Sequence, residues 1–301
     1  MHAAVMHETG DPDVLHYEEV QPLEPGHGEV LISVRAAAVN PIDWKYRRGL
    51  VEKPLPAVLG SDVSGVVEAS RAEGFAEGDE VFGFAASGGY AELATASAEK
   101  IVEKPAGLSH EQAAAIPVAG LTAWQAIFDR GGAQEGHTVL VAGAAGGVGH
   151  FAVQFAKVAG AYAIGTGSSR NRDFVLGLGA DEYVDYTEQD VADAASGVDL
   201  AFDTVGGETT ASLLPAVREG GLLVTIAGSP PEDAARARGV RAELLVMSAS
   251  AEQLAQIAEL VAADEVRVEI ADVLPLADAS RAHALSESGH TRGKIVLSAA
   301  T

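Results

Sequence analysis

The stretch from Thr138 to Lys157, TVLVAGAAGGVGHFAVQFAK, restricts the fold of this chain more than any other. Thr138–Ala142 is a short Val-rich run of the kind that forms a strand buried on both faces, and the glycine-rich segment Gly143–Gly149 then interrupts it. From His150 the apolar residues Phe151, Val153, Phe155, Ala156 and Val158 resume at helical spacing, giving strand, tight turn and helix in sequence. Aligned on the G-x-G-x-x-G fingerprint, Gly146 and Gly149 take the second and third glycine positions and Ala144 replaces the first. A side chain at Gly146 would hold a pyrophosphate away from the backbone. Gly149 lets the helix pack closely, and the helix N-terminus offers free N–H groups and a partial positive charge to phosphates. A glycine-rich connection in any α/β domain has the same composition, so the motif alone leaves dinucleotide binding and a purely structural turn both open. No Gly-Lys-Ser/Thr follows, which argues against a nucleoside-triphosphate P-loop.

The rest of the chain gives this unit its context. After Gly120 a helical segment, Leu121–Arg130, leads into strands expected at Thr138–Ala142, Ala161–Thr166, Glu182–Val184, Leu200–Thr204, Leu222–Ala227 and Ala242–Met247, with helices in between. Such alternation predicts a doubly wound parallel sheet and favours the dinucleotide reading. Up to about Glu103 the pattern is different: short β segments (Ala3–His7, Val30–Ala37, Val63–Glu68, Glu80–Phe84, Tyr90–Thr95) punctuated by Gly and Pro, implying an irregular barrel-like β domain. A helix is expected over Ile42–Arg48 after Asn40-Pro41, and Ser109 with Gln112 reads as a capping box opening another. Beyond Ala249 the order is a helix at Ala251–Ala263, a β-like run at Val266–Ile270, a helix at Leu276–Glu287 and a strand at Lys294–Leu297, with Ser229–Gly239 the most loop-like stretch.

Composition narrows the function. With no cysteine, the chain has no disulfide, cysteine nucleophile or thiolate metal site, and no His-Glu-x-x-His occurs among its 9 histidines. A formal net charge of −23 argues against nucleic acid or an anionic membrane as a partner, because such binding depends on Lys and Arg. Met1–Gly10 has neither a basic n-region nor an apolar h-region, and the expected location is cytoplasmic.

Several ordered motifs together resemble the medium-chain dehydrogenase/reductase superfamily, within it the zinc-independent quinone oxidoreductases related to ζ-crystallin and the enone reductases. They are Asn40-Pro-Ile-Asp43-Trp-Lys45-Tyr-Arg47-Arg-Gly49, Leu59-Gly-Ser-Asp-Val-Ser-Gly65, Gly78-Asp-Glu-Val-Phe-Gly83, Gly88-Gly-Tyr-Ala-Glu92, Leu121-Thr-Ala-Trp-Gln, Gly143-Ala-Ala-Gly-Gly-Val-Gly149, Pro275-Leu, Ala282-His and Gly293-Lys-Ile-Val-Leu297. The resemblance implies an α/β protein in which a GroES-like β-rich catalytic domain (1–118 and 249–301) is interrupted by a doubly wound parallel-sheet Rossmann domain (119–248). It also implies that Asn40 and Ser61-Asp62 stand near the positions where the zinc enzymes of the superfamily carry Cys and His ligands. Lys45 stands where many quinone reductases have Tyr, a departure that resembles plant enone and alkenal reductases.

The cofactor expected is NADPH. Adenosine-ribose specificity is set about 20 residues beyond the glycine turn, where NAD enzymes carry an acid. Here the segment reads Gly165-Thr-Gly-Ser168-Ser-Arg-Asn-Arg172, with no acid before Asp173. Family alignment places Ser168, Arg172 and Tyr186 at the 2′-phosphate, Thr122 near the nicotinamide, and Lys294 as a cation approaching the cofactor. Further cofactor contacts are expected at Gly143, Ala144, Ala145, Gly146, Gly147 and Val148, and at Val205, Ala227, Val246 and Ser248 beyond the strand ends. The catalytic candidates are Asn40, Asp43 and Lys45. Asn40 as a helix-entry residue, Asp43 as a dipole partner and Lys45 as a solvated lysine are the structural alternatives. Expected activity is reduction of a small-molecule quinone or α,β-unsaturated carbonyl by hydride transfer. A metal-free alcohol dehydrogenase and a non-catalytic NADPH-binding protein are the alternatives. An exposed last strand, Ala242–Met247, further suggests a homodimer.

Overall fold

The structure, a computed structural model, describes residues 1–299. Its contacts divide the chain into two units. One comprises Met1–Leu121, Ala249–Asp264 and residues 268–299; the other is Thr122–Ser248 with Glu265–Arg267.

The second unit is a six-stranded parallel sheet: β1 (Thr138–Ala142), β2 (Tyr162–Gly167), β3 (Glu182–Asp185), β4 (Val198–Asp203), β5 (Val217–Thr225) and β6 (Arg241–Leu244). Their order across the sheet is β3-β2-β1-β4-β5-β6, so the chain reverses direction at β1/β4, the Rossmann arrangement. Val139, Leu140, Val141 and Ala142 are all buried, as a central strand covered on both faces requires. Helix α1 (Gly149–Val158) follows the glycine turn, its Phe151, Val153 and Phe155 buried.

The first unit is built on a seven-stranded sheet. Ile270–Pro275, Lys294–Ser298, Glu29–Val39, Asp62–Ser70, Glu80–Phe84 and Ile101–Glu103 are neighbours in that order, and Leu93–Ser97 also pairs with Glu29–Val39. A smaller sheet joins Leu15–Glu19, His2–Met6 and Ala57–Val58. The two ends of the chain meet here because the last strand runs antiparallel to Glu29–Val39, with Ile295 opposite Val39. That pairing sets Lys294 beside Asn40. A core of Val30, Ile32, Val63, Val81, Tyr90, Ile295 and Leu297, among others, lies within this β structure.

Four segments differ from expectation for identifiable reasons. Tyr90–Thr95 is not a strand throughout: Tyr90 donates from its amide to Leu59 O and accepts from Ala4 N, which pins it in a loop, and the strand begins at Leu93. Val266–Ile270 is not a strand either, since the Arg267 backbone is held at both ends by the Gln154 side chain, and the strand is Ile270–Pro275. The loop-like Ser229–Gly239 contains a helix, Glu232–Ala237. Finally, β6 stops at Leu244; by Ser248 the backbone is bonded to the Gln125 amide instead.

Candidate functional site

In the Rossmann unit, Gly143 has φ +72°, and a Cβ there would lie 2.5 Å from Thr204 Oγ1; a side chain is excluded on both counts. At Gly149 a Cβ would lie 2.1 Å from the Gly143 carbonyl oxygen, so this glycine closes the turn on itself. Gly146 differs, because a Cβ there meets only the Gly143 oxygen at 3.3 Å. The fold itself scarcely demands a glycine there; room for a ligand against the backbone does. The amides of Gly147 and Val148 have no carbonyl partner among the described residues and lie at the N-terminus of α1, as a phosphate site requires. The residues present therefore fit a dinucleotide.

At the carboxyl ends of β2 and β3, Tyr183 donates to the Ser168 carbonyl at 2.7 Å and seats the Arg172 guanidinium 5.8 Å from its ring centroid. Burial, then the nearby Asp185, push the Tyr183 hydroxyl up to about 12. Asp185 accepts from the Thr187 amide and hydroxyl, which hold it below the usual carboxylate range with a smaller contribution from Arg172. Tyr186 is 59% exposed. Ser168, Arg172 and Tyr186 are thus gathered at one end of two adjacent strands. Val205 and Val246 are exposed, while Thr122 is buried. Sequence reasoning overlooked Asp203. Buried at the end of β4, it accepts from the amides of Val205 and Gly206 with one oxygen and from the hydroxyls of Thr210 and Thr225 with the other, fixing the loop that carries Val205. An acid closing the apolar run Leu200-Ala-Phe-Asp203 was the signal.

In the GroES-like unit, Asn40, Asp43, Asp62, Tyr90 and Lys294 form one buried cluster. Helix Pro41–Arg47 begins here, and Asp43 accepts from the Asn40 amide at 2.8 Å and from the Tyr90 hydroxyl at 2.8 Å. The Asn40 side chain is used differently: its Nδ2 donates to Asp62 at 2.9 Å and its Oδ1 accepts from Lys294 Nζ. Val118 N and Ser61 Oγ also donate to Asp62, at 3.1 and 3.2 Å. Burial raises Asp43 to about 6, opposed by the bonds from Asn40 and Tyr90, with Asp62 adding to the rise and Lys294 lowering it. Burial likewise raises Asp62 and lowers Lys294, each partly compensated by the other.

Lys294 is 4% exposed, and its ammonium bonds Asn40 Oδ1 and the Val39 carbonyl, which places it in this cluster. Asp43 is more than a dipole partner, since it ties the helix entry to Tyr90, a residue sequence reasoning also missed. Lys45, by contrast, is half-buried, its Nζ 5.8 Å from the Trp44 ring centroid, with no ion pair among the described residues.

The donor set at Asn40 and Asp62 does not fit zinc. One donor is an amide, and an ammonium already bonds that amide and compensates the neighbouring carboxylate, so a dication would meet charge repulsion. Among the described residues no group of three or more His, Asp or Glu is placed to hold a metal ion.

Comparison with known proteins agrees with this architecture. The alcohol dehydrogenase GroES-like domain matches residues 26–106, and a domain described as zinc-binding dehydrogenase matches residues 178–297. A quinone oxidoreductase of Pseudomonas aeruginosa is 36% identical, with 96% of each chain covered. The 2-methylene-furan-3-one reductase of Solanum lycopersicum is 35% identical over 96% of this chain and 76% of its own. The crystal structure of Escherichia coli quinone oxidoreductase complexed with NADPH superposes with a TM-score of 0.92 at 29% identity, covering 99% of this chain and 100% of that one. The chain belongs to the zinc-independent quinone oxidoreductase group of the medium-chain dehydrogenase/reductases, a family of oxidoreductase enzymes.

Proposed function

We propose that the protein is an NADPH-dependent, zinc-independent reductase of quinones and α,β-unsaturated carbonyls. The observation that carries the cofactor choice is the gathering of Ser168, Arg172 and Tyr186 at the ends of β2 and β3, in a chain of net charge −23 that otherwise repels a phosphate. What a bound NADPH supplies is the hydride. The amides of Gly147 and Val148 with the α1 terminus bind its pyrophosphate, Arg172 and Ser168 its 2′-phosphate, and the loop shaped by Asp203 orients the nicotinamide half. In the GroES-like unit, Lys45 supplies a donor for the carbonyl oxygen that gains negative charge as hydride reaches the β-carbon, the role of an oxyanion donor. Asn40, Asp43, Tyr90 and Lys294 hold the helix bearing Lys45 in position. The α-proton then comes from water.

Loss of a charge-assisted contact to phosphate costs about 1.5–3 kcal/mol. Arg172→Ala is therefore expected to raise the KM for NADPH at least tenfold while leaving that for NADH nearly unchanged. Steady-state kinetics with both nucleotides checks this, and equal effects on the two would remove the phosphate assignment.

Metal plays no part in this reading. Activity is expected to survive exhaustive chelation in full; a fall restored by zinc would count against it.

The quaternary state expected is a homodimer. Edge strand β6 ends at Leu244, 48% exposed, and is followed by Val246, 77% exposed, and an edge with no strand beyond it favours pairing with its symmetry mate. Light scattering at micromolar protein should give twice the 30.8 kDa chain mass, and a monomeric mass contradicts it.

A further inference from the structure

The histidine in the first turn of α1 makes a contact that the helix itself does not require. His150 is fully buried, its ring centroid 4.2 Å from that of Phe151, and its Nδ1 lies 3.0 Å from the Gly146 carbonyl oxygen. A carbonyl only accepts, so Nδ1 is a protonated ring nitrogen and donates. The same oxygen already accepts from the His150 amide at 3.1 Å, the first bond of α1. The backbone is therefore satisfied without the side chain. Burying an imidazole costs free energy that a leucine at this position would not, so the bond from the ring to Gly146 needs a reason beyond helix formation.

The peptide unit that carries this oxygen supplies one. Its other end is the Gly147 N–H, one of the two amides offered to the pyrophosphate, and in a trans peptide the C=O and N–H point to opposite sides of the chain. Gly146 and Gly147 flank the unit with no Cβ on either side, so the peptide plane can turn about the chain at little steric cost. A second bond to the oxygen, from a ring held in place by packing, fixes that plane and with it the direction of the N–H. The same bond polarises the peptide and strengthens the N–H as a donor. Exposure divides accordingly: Gly146, Gly147 and Val148 are half-buried, whereas His150 is sealed from solvent and acts on a phosphate only through the peptide.

We infer that His150 is a positioning residue for the cofactor, its Nδ1–H pinning the Gly146 carbonyl so that the Gly147 N–H faces the pyrophosphate. The inference rests on the reading of the glycine turn as a dinucleotide site and adds the group that preorganises it. Because the pyrophosphate is common to NADPH and NADH, loss of the pin weakens both to the same degree, unlike loss of Arg172. A ligand such as 2′-AMP, which keeps the ribose phosphate but has no phosphate at the 5′ position, is indifferent to it.

The test reads binding and not turnover. Calorimetric titration of His150→Leu should show NADPH and NADH each bound about three- to tenfold more weakly than by the unaltered protein, the scale of one hydrogen bond, with 2′-AMP unchanged. His150→Asn should restore most of the affinity, because the asparagine Nδ2 stands as many bonds from Cα as the imidazole Nδ1 and donates to the same oxygen. Should the leucine variant not fold, His150→Ala removes the donor without adding bulk and is expected to show the same loss. Unchanged NADPH affinity without the donor, or an asparagine variant as weak as the leucine one, would overturn the inference. So would 2′-AMP weakened as much as NADPH, the mark of a merely structural role. Equal affinities in the unaltered protein and the leucine variant remove this inference and leave the dinucleotide reading standing, whereas an unaltered protein that binds neither nucleotide removes both.

Discussion

Replacing Lys294 by Met is expected to destabilise the GroES-like unit by about 3–5 kcal/mol, the scale of breaking a buried charge pair by removing one partner. In the intact cluster a single ammonium compensates two buried carboxylates, Asp43 and Asp62. Without it both are left in a dry site, and Asn40 loses the donor to its Oδ1. The pH dependence has a definite sign. Folded Asp43 titrates at about 6, above the ~3.9 of an unfolded Asp. The folded state binds that proton more tightly, so the contribution of Asp43 is fully present below about pH 4 and is lost as pH rises through about 6. The ammonium's removal raises both carboxylates further, because its charge favours their ionised forms. Urea unfolding of the variant should therefore show the full deficit at pH 8 and a smaller one at pH 5. A deficit below 1 kcal/mol, or one of the same size at both pH values, contradicts a charged cluster.

Lys45→Met should depress kcat and kcat/KM for enone reduction by roughly 10²-fold, as for loss of one oxyanion donor, because its contact is stronger in the transition state than in the ground state. Quinone reduction by a one-electron route develops less charge at a single oxygen and should be spared, as should NADPH affinity. Lys45 bonds none of the cluster residues, so folding stability should change little, unlike the outcome at Lys294. Unchanged enone turnover would return Lys45 to an ordinary surface lysine and leave quinones as the better acceptors.

How far the sequence carried depends on whether a residue's role is local. The glycine turn was legible because its requirements act within a few residues: Gly143 needs a positive φ and Gly149 has no room for Cβ. The parallel sheet was legible through strand and helix alternation. Lys294 was not, because its partners Asn40 and Asp62 are more than 200 residues away and are reached only when the last strand pairs with Glu29–Val39. Tyr90 was hidden for a related reason: three long-range contacts, to Ala4, Leu59 and Asp43, override the strand propensity of its segment. Val266–Ile270 failed similarly, its β-branched residues outweighed by the two bonds from Gln154.

Hydride transfer from NADPH to a conjugated carbonyl or quinone is the reaction proposed for this chain. Its most direct test follows NADPH oxidation by the purified, chelator-treated protein with a small quinone, an enone and an alkenal, alongside a saturated ketone and an alcohol with NADP. Turnover of the quinone or the conjugated carbonyls is expected with NADPH, much slower turnover with NADH, and none with the saturated ketone or the alcohol. Oxidation of the alcohol with NADP while enones and quinones remain untouched would contradict it, as would tight NADPH binding with no turnover of any acceptor.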